Sequence, residues 1–161
     1  MFLCELFSPE FIQVDLQAKD KEGVFEELVD RLCQLIKSDA RGEILEALRN
    51  REMKMSTGIQ KGIAIPHGKT NAVDSVYGIL GISRKGIDYE ALDGNPVHLL
   101  FLVIGPTGDS ENQLRVLQRL AELLANPQFF TELAAQKDVQ SAYGVLKKHE
   151  DTFIALNWTP R

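Results

Sequence analysis

Cysteine and histidine are scarce in this sequence. The chain of 161 residues has two cysteines, Cys4 and Cys33, and three histidines. The cysteines form no Cys-x-x-Cys pair, so neither a disulfide framework nor a zinc site is expected. The histidines stand far apart, without the His-x-x-x-His spacing that places two metal ligands on one helix face. We therefore expect a protein of a reducing compartment that holds no metal.

Long hydrophobic runs are also missing. The longest uncharged apolar stretch, Val97 to Gly105, is far shorter than the ~20 residues that span a bilayer. The start of the chain, Met1 to Glu5, carries no basic residue, and Glu5 interrupts the apolar residues before a signal peptide could form. We expect a cytoplasmic protein that is not itself embedded in a membrane.

Positively charged residues are fewer than negatively charged ones. Eighteen Lys and Arg residues against twenty-three Asp and Glu residues give a net charge of −5, so a basic surface for nucleic acid is not expected. The length predicts one domain over residues 1–161, with its core at about 10–148. Residues 151–161 are a weakly patterned tail, whose Trp158 either docks or is disordered.

Apolar spacing divides the chain into alternating strands and helices. Strands are predicted at residues 11–16, 76–83 and 97–104. Helices are predicted from Asp20 to Lys37, Asp39 to Arg51, Ser110 to Leu124, Asn126 to Gln136 and Asp138 to Lys148. The expected N-cap residues are Asp20, Asp39, Ser110 and Asn126. This interleaved order predicts an α/β domain with helices on both faces of a sheet.

Residues 51–70 differ from the rest of the chain, because glycines and a proline break any helix there. The tail of the segment has part of a phosphate-binding loop motif, Gly62 followed by Gly68-Lys69-Thr70. That motif needs four residues between its glycines, and here there are five, one of which is Pro66 without an N–H group. A nucleotide-binding loop is therefore not favoured.

His67 is the residue of this segment with the most chemistry. Pro66 restricts the backbone on one side of it, and Gly68 lets backbone approach a ligand on the other. A neutral imidazole can accept and release a phosphoryl group, and Lys69 and Arg51 are available to meet the phosphate charge. From these features alone, a structural turn histidine is an equally good interpretation.

The segment also resembles a known signature. Residues 56–69 read Ser-Thr-Gly-Ile-Gln-Lys-Gly-Ile-Ala-Ile-Pro-His-Gly-Lys, with Arg51-Glu52 before them. This string is similar to the active-site signature of IIA domains of the bacterial phosphoenolpyruvate:sugar phosphotransferase system, in the mannitol, fructose and nitrogen-regulatory class. The similarity continues through Asp93 to Phe101 and covers most of residues 10–148.

The resemblance implies a three-layer α/β/α domain with a central mixed sheet. It implies a protein-histidine phosphotransferase in which His67 becomes a phosphohistidine. The donor would be the phosphohistidine of the carrier protein HPr or of its nitrogen-branch paralogue, and the acceptor in sugar-transporting members is a IIB domain. The resemblance implies no metal and no organic cofactor.

By the same match, further residues are expected near the phosphate: Arg51, Ser56, Thr57, Gly58 and Gly68. Each has an alternative interpretation, since Ser-Thr-Gly is a common turn composition and an arginine at a helix end favours the helix dipole.

The class usually has a second histidine at the start of the helix after the central strand, and here that position is Gln113. The Gln113 amide either closes a capping box with Ser110 or donates to the phosphate. His98, at the start of the central strand, is interpreted as a structural residue or as a secondary participant, and His149 as a solvated helix end.

Two functions are compatible with the resemblance. The first is a stand-alone IIA protein of the nitrogen-regulatory type, and the alternative is a fructose- or mannitol-type component that passes the phosphoryl group to a IIB domain. A third possibility is a protein that keeps the IIA fold but does not transfer phosphate, and only the missing second histidine supports it. For a transient carrier complex we predict a mildly apolar surface at Met55, Ile63 and Ile65.

Overall fold

The computed structural model describes residues 2–157. Its helices are α1 (Leu3–Leu6), α2 (Lys21–Ile36), α3 (Arg41–Lys54), α4 (Ser110–Leu124), α5 (Pro127–Ala134) and α6 (Val139–Asn157), with a short 3₁₀ turn at Pro9–Phe11. Its strands are β1 (Ile12–Gln13), β2 (Gly58–Gln60), β3 (Ile63–Ala64), β4 (His67–Lys69), β5 (Tyr77–Ile87) and β6 (Val97–Gly105).

Two of the predicted helix caps are confirmed. The Asp20 carboxylate accepts a hydrogen bond of 2.8 Å from the Gly23 N–H at the start of α2, and the Asn126 side chain accepts one of 3.1 Å from the Gln128 N–H at the start of α5. These side chains satisfy N–H groups that have no partner within the helix.

Several predicted boundaries are wrong. Asp39 does not cap α3, because Ser38 Oγ accepts from the N–H of Ala40 and the helix starts only at Arg41. Strand β1 is two residues long, because Asp15 has a left-handed φ of 59° that ends the extended backbone. Helix α6 continues past Lys148 to Asn157, and Trp158 lies outside the described residues.

The six strands form one mixed sheet, in which five follow the order β1-β5-β6-β3-β2 and β4 also pairs with β6. Strands β5 and β6 pair antiparallel at its centre, while β1 runs parallel to β5. Both β3 and β4 run parallel to the same side of β6, one after the other, with Ile63 opposite Leu99 and His67 opposite Val103. Pro66 separates these two short strands, and its carbonyl still accepts from the Val103 N–H at 2.9 Å.

Helices cover both faces of the sheet, as predicted. On one face α2 and α3 pack against side chains such as Ile79, Leu100 and Leu102. On the other, α1, α4, α5 and α6 pack against the alternate positions, such as Leu80 and Phe101. Successive strand residues point to opposite faces, so β6 is apolar on both. The three-layer fold class is confirmed.

Within residues 2–157, none of the helices has the length and apolarity that a membrane crossing requires.

Candidate active site

The His67 imidazole is half-buried at the start of β4 and has a partner at each ring nitrogen. Its Nδ1 lies 2.8 Å from the carbonyl oxygen of Ile65, and Arg51 Nε donates to its Nε2 at 3.3 Å. A carbonyl only accepts and a guanidinium only donates. Both contacts therefore select the tautomer with the proton on Nδ1 and the lone pair on Nε2.

The surroundings of His67 keep its ring neutral at pH 7. Burial lowers the pKa of the imidazole below its ordinary value of 6.5, and the positive charges of Arg51 and Lys69 lower it further. The hydrogen bond to the Ile65 carbonyl and the charge of Glu52 act in the opposite direction without reversing the shift. A neutral ring with one unprotonated nitrogen is the nucleophilic form of histidine.

Arg51 is placed beside His67 by the last turn of α3. Its Nη1 donates a 2.8 Å hydrogen bond to the Met55 carbonyl, just past the helix end. The guanidinium is thereby shared between the imidazole and the loop that follows α3. The structure thus brings together His67 and Arg51, which the sequence had placed in one site.

Thr57, Ser56 and Gly58 were expected to line the site, and the structure shows that each has other contacts within the loop or beneath it. The buried Thr57 hydroxyl donates to Glu52 Oε2 at 2.6 Å. Ser56 Oγ accepts from the Gly58 N–H at 3.1 Å. At Gly58, an added Cβ would lie 2.8 Å from the Cβ of Ala91. These residues shape the loop beside His67.

Gly68 was expected to let the backbone approach a ligand, and the structure shows that it lets β4 approach α3. A Cβ at Gly68 would lie 3.0 Å from the backbone carbon and oxygen of Ala47. The strand that carries His67 therefore lies directly against the helix that carries Arg51.

The N-cap predicted at Ser110 is wrong, and the capping box, one of the two alternatives for Gln113, does not form. Asp109 occupies the N-cap position, and Ser110, the first residue of α4, accepts a 2.8 Å hydrogen bond from Lys69 Nζ. The buried Gln113 side chain donates through Nε2 to the Gly68 carbonyl at 2.9 Å. Among the residues described, none offers a partner to Gln113 Oε1.

His98 and His149 lie away from this site. His98 Nδ1 is 2.8 Å from the Ser83 carbonyl, and His98 stands five positions before Val103 on β6, or roughly 16 Å along the strand from the level of His67. A direct role beside His67 is thus not supported. His149 is not a solvated helix end, because its ring packs on Phe129 and its Nε2 lies 3.0 Å from Glu132 Oε2.

Two residues of the site's surroundings were not predicted as site residues from the sequence, although Glu52 stands in the signature. Glu52 and Tyr89 are both buried beneath the loop. Each forms a hydrogen bond with Thr57, and the Tyr89 hydroxyl also contacts Glu52. The sequence signal that could have identified Glu52 was a glutamate at an inward-facing position of α3, where the other inward-facing residues are apolar. As for metals, residues 2–157 contain no group of three His, Cys, Asp or Glu side chains able to hold an ion.

Comparison with known families assigns the chain. Residues 5–149 match the model of the family described as "Phosphoenolpyruvate-dependent sugar phosphotransferase system, EIIA 2". The chain therefore belongs to this family of phosphotransferase-system IIA domains, and the resemblance seen in the sequence is confirmed.

Relatives of both functional types are similar to the chain. It is 34% identical over 146 residues to a nitrogen regulatory protein of Bradyrhizobium diazoefficiens, covering 91% of this chain and 95% of the relative. It is 35% identical over 150 residues to the fructose-specific EIIABC component of Bacillus subtilis, covering 93% of this chain. The chain spans only 24% of the length of that second relative.

Solved structures share the fold. The nitrogen regulatory protein IIA-Ntr of Neisseria meningitidis superposes with a TM-score of 0.80 at 28% identity, covering 88% of this chain and 97% of that one. The mannitol IIA enzyme of Escherichia coli, solved in complex with phosphorylated IIB, superposes with a TM-score of 0.73 at 18% identity, covering 86% and 95%. This second likeness concerns the fold alone.

Proposed function

We propose that the protein is a phosphoryl carrier that accepts a phosphoryl group on Nε2 of His67, as a nitrogen-regulatory-type IIA protein. The donor would be the phosphohistidine of HPr or of its nitrogen-branch paralogue, so the proposed place of action is the cytoplasm. The observation that carries the proposal is the fixed tautomer of the half-buried ring, with a lone pair on Nε2 and Arg51 beside it. The chain belongs to a family of phosphotransferase-system components.

The transfer needs only an exchange of one N–P bond for another. The Nε2 lone pair of His67 attacks the phosphorus in line, its N–P bond forms, and the N–P bond of the donor breaks, returning an electron pair to the donor ring. Nδ1 keeps its proton throughout. The positive charge that develops on the ring is stabilised by the Ile65 carbonyl, which accepts the Nδ1–H at 2.8 Å.

Cationic and dipolar groups surround the place where the phosphoryl group would stand. Arg51 Nε already lies 3.3 Å from the attacking nitrogen and can turn its donors onto phosphoryl oxygens. Lys69 is held beside the first turn of α4 through Ser110, and the N–H groups of that turn favour an anion.

A partner would dock on the exposed apolar residues on either side of His67. The apolar surface predicted from the sequence needs correction, because Ile63 and Ile65 are buried in the core and only Met55 is exposed. Leu114, which follows Gln113 in α4, is exposed on the other side of the site. Met55 and Leu114, here called the docking pair, suit a weak and transient interface.

The regulatory type is supported by similarity along nearly the whole length of a nitrogen regulatory protein. The alternative is a sugar-transport component that passes the phosphoryl group to a IIB domain. It is supported by the 35% identity to a fructose-specific component.

Phosphate transfer from phosphoenolpyruvate tests the proposal. The chain would be incubated with phosphoenolpyruvate, enzyme I and each candidate carrier, and acid-labile phosphate on the protein would be measured. We expect label on the wild type, none on a folded His67→Ala variant, and wild-type labelling of His149→Ala as the control. Equal labelling of wild type and His67→Ala would refute the assignment.

The two functional types separate in a second step. Labelled protein would be mixed with isolated IIB domains of fructose and mannitol type. Retention of the label is the expected result for the regulatory type, whereas rapid discharge to a IIB domain would favour the alternative.

A further inference from the structure

A buried carboxylate lies directly beneath the His67 site. Glu52 is only 9% exposed, and both of its oxygens accept hydrogen bonds from Thr57: Oε1 from the backbone N–H at 2.9 Å and Oε2 from the hydroxyl at 2.6 Å. Lys21 Nζ, from the first residue of α2, is 3.1 Å from Glu52 Oε1. A buried charge with this many donors is compensated, so it holds its neighbours firmly.

Tyr89 completes the arrangement. Because the single hydroxyl proton of Thr57 points to Glu52, the 2.7 Å contact between Thr57 Oγ1 and Tyr89 Oη requires Tyr89 to be the donor. Burial, together with the charge of Glu52, raises the pKa of Tyr89 well above its ordinary value, so its proton stays on. The hydrogen bonds therefore run from Tyr89 to Thr57 to Glu52, and Tyr89 Oη also lies 3.4 Å from Glu52 Oε2.

Thr57 connects this buried group to both nitrogens of the His67 ring. The Thr57 carbonyl accepts the Ile65 N–H at 3.1 Å, and the Ile65 carbonyl in turn accepts from His67 Nδ1 at 2.8 Å. Two residues before Thr57, the Met55 carbonyl accepts from Arg51, whose Nε donates to His67 Nε2. The position of Thr57 thus sets the partner of each ring nitrogen.

We propose that Glu52 is a positioning residue for phosphotransfer: by clamping Thr57 it fixes the loop after α3 and thereby holds the His67 ring in its reactive tautomer and orientation. This inference rests on the proposed function, because the reaction that Glu52 supports is phosphoryl transfer to His67. Glu52 touches neither His67 nor the phosphoryl group in this role. Its effect is to keep Arg51 and the Ile65 carbonyl in place while the ring reacts.

Variants of Glu52 and Thr57 distinguish a positioning role in phosphotransfer from a role in packing alone. Thr57→Val keeps the volume of the side chain and removes the hydroxyl that bonds Glu52, whereas Thr57→Ser keeps the hydroxyl. Glu52→Gln keeps the shape and removes the charge. We expect Thr57→Val and Glu52→Gln to slow transfer to His67 by about tenfold or more, and Thr57→Ser to recover most of the rate lost in Thr57→Val.

Glu150 provides a matched control. It is an even more deeply buried carboxylate, 1% exposed, that accepts from the Leu3 and Cys4 N–H groups and from Arg119, which are not part of the His67 site. Glu150→Gln should lose stability in the same way and transfer phosphate at the wild-type rate. Equal slowing in Glu150→Gln and Glu52→Gln would mean that the effect is general destabilisation, and would overturn the proposal.

A second readout does not depend on phosphate. ¹⁵N NMR of the His67 ring should show the Nδ1–H tautomer in the wild type and a mixture of tautomers in Thr57→Val and Glu52→Gln. If both variants show the wild-type transfer rate and the wild-type tautomer, the proposal is overturned. If Glu52→Gln does not fold, the result for Thr57→Val alone decides. If the wild type takes up no phosphate, the proposed function fails, while the tautomer measurement still tests the role of Glu52.

Discussion

The side-chain amide of Gln113 donates a 2.9 Å hydrogen bond to the carbonyl of Gly68, the residue that follows His67. The first turn of α4 is thereby joined to the strand that carries the imidazole. At the position where the sequence resemblance predicts a second histidine, this chain has a residue whose amide donates to the backbone of β4. The contact favours a supporting role for Gln113 over the direct phosphate contact considered from the sequence.

Removal of the Gln113 amide should destabilise the protein. Gln113→Ala leaves the Gly68 carbonyl without this buried partner, and we expect the free energy of unfolding to fall by about 1–3 kcal/mol. Urea denaturation followed by circular dichroism measures the change. Gln113→His, whose ring N–H can donate to the same carbonyl, should recover part of the loss. Wild-type stability of Gln113→Ala would show that the bond contributes nothing.

The pH dependence of His67 follows from its surroundings. Because burial and the nearby cations lower its pKa below 6.5, the ring should stay neutral through pH 7 and gain a proton only at more acidic pH. Transfer to His67 should therefore be constant near neutrality and decline on acidification, as the lone pair on Nε2 is lost. NMR titration gives the pKa directly. In Arg51→Gln it should rise, since a positive charge has been removed, and an unchanged or lower value would contradict this account.

The geometry of Arg51, and not only its charge, should matter. Lysine keeps the positive charge but cannot bond the Met55 carbonyl and the His67 ring at once through a planar fork. We expect Arg51→Lys to slow phosphoryl transfer by about ten- to a hundredfold with little change in stability. The control is Arg49→Lys, since Arg49 is exposed on the same helix and pairs with Glu22. Similar transfer rates in Arg51→Lys and Arg49→Lys would refute the role of the planar Arg51 guanidinium.

The close approach of β4 to α3 predicts a steric effect at Gly68. In Gly68→Ala the new methyl group would lie 3.0 Å from the Ala47 backbone, so we expect a loss of about 1–3 kcal/mol in unfolding free energy. Gly42→Ala is the control: at Gly42, within the part of the chain described, a Cβ meets no atom within 4 Å. That change should be neutral or stabilising. Thermal unfolding compares the two, and equal stability would contradict the predicted clash.

The docking pair should affect the encounter with the carrier and leave the fold intact. Met55→Glu and Leu114→Glu place a charge on exposed side chains beside His67, so transfer should slow because the complex forms less readily. Leu156→Glu is the control, because Leu156 is exposed near the end of α6. The expected signature is a higher KM with wild-type thermal stability. Unchanged kinetics in both docking-pair variants would place the carrier surface elsewhere.

Local chemistry made part of this structure predictable. Asp20 and Asn126 cap helices through contacts within three residues, so their role depends on little else. His67 and Arg51 were identified through a long motif, and the structure places them in contact.

The errors arose where distant segments meet. Ser110 is bonded by Lys69 and Gln113 by Gly68, and these contacts replace the capping box that the spacing of α4 favours. Thr57 faces a group built from α2, α3 and the segment after β5, which no local pattern specifies. The extension of α6 depends on tertiary packing, including Arg119 lying over the Phe153 ring.

The pairing of β4 with β6 has a consequence for the order in which the protein matures. His67 lies opposite Val103, a residue synthesised long after it, and the strand is held in place by Gln113, which comes later still. Contacts between distant segments form late, since the chain between them must first be ordered. A nascent chain that ends before α4 thus contains His67 but lacks the Gln113 contact that holds β4. The proposed acceptance of phosphate would then require that folding of this half of the sheet is complete.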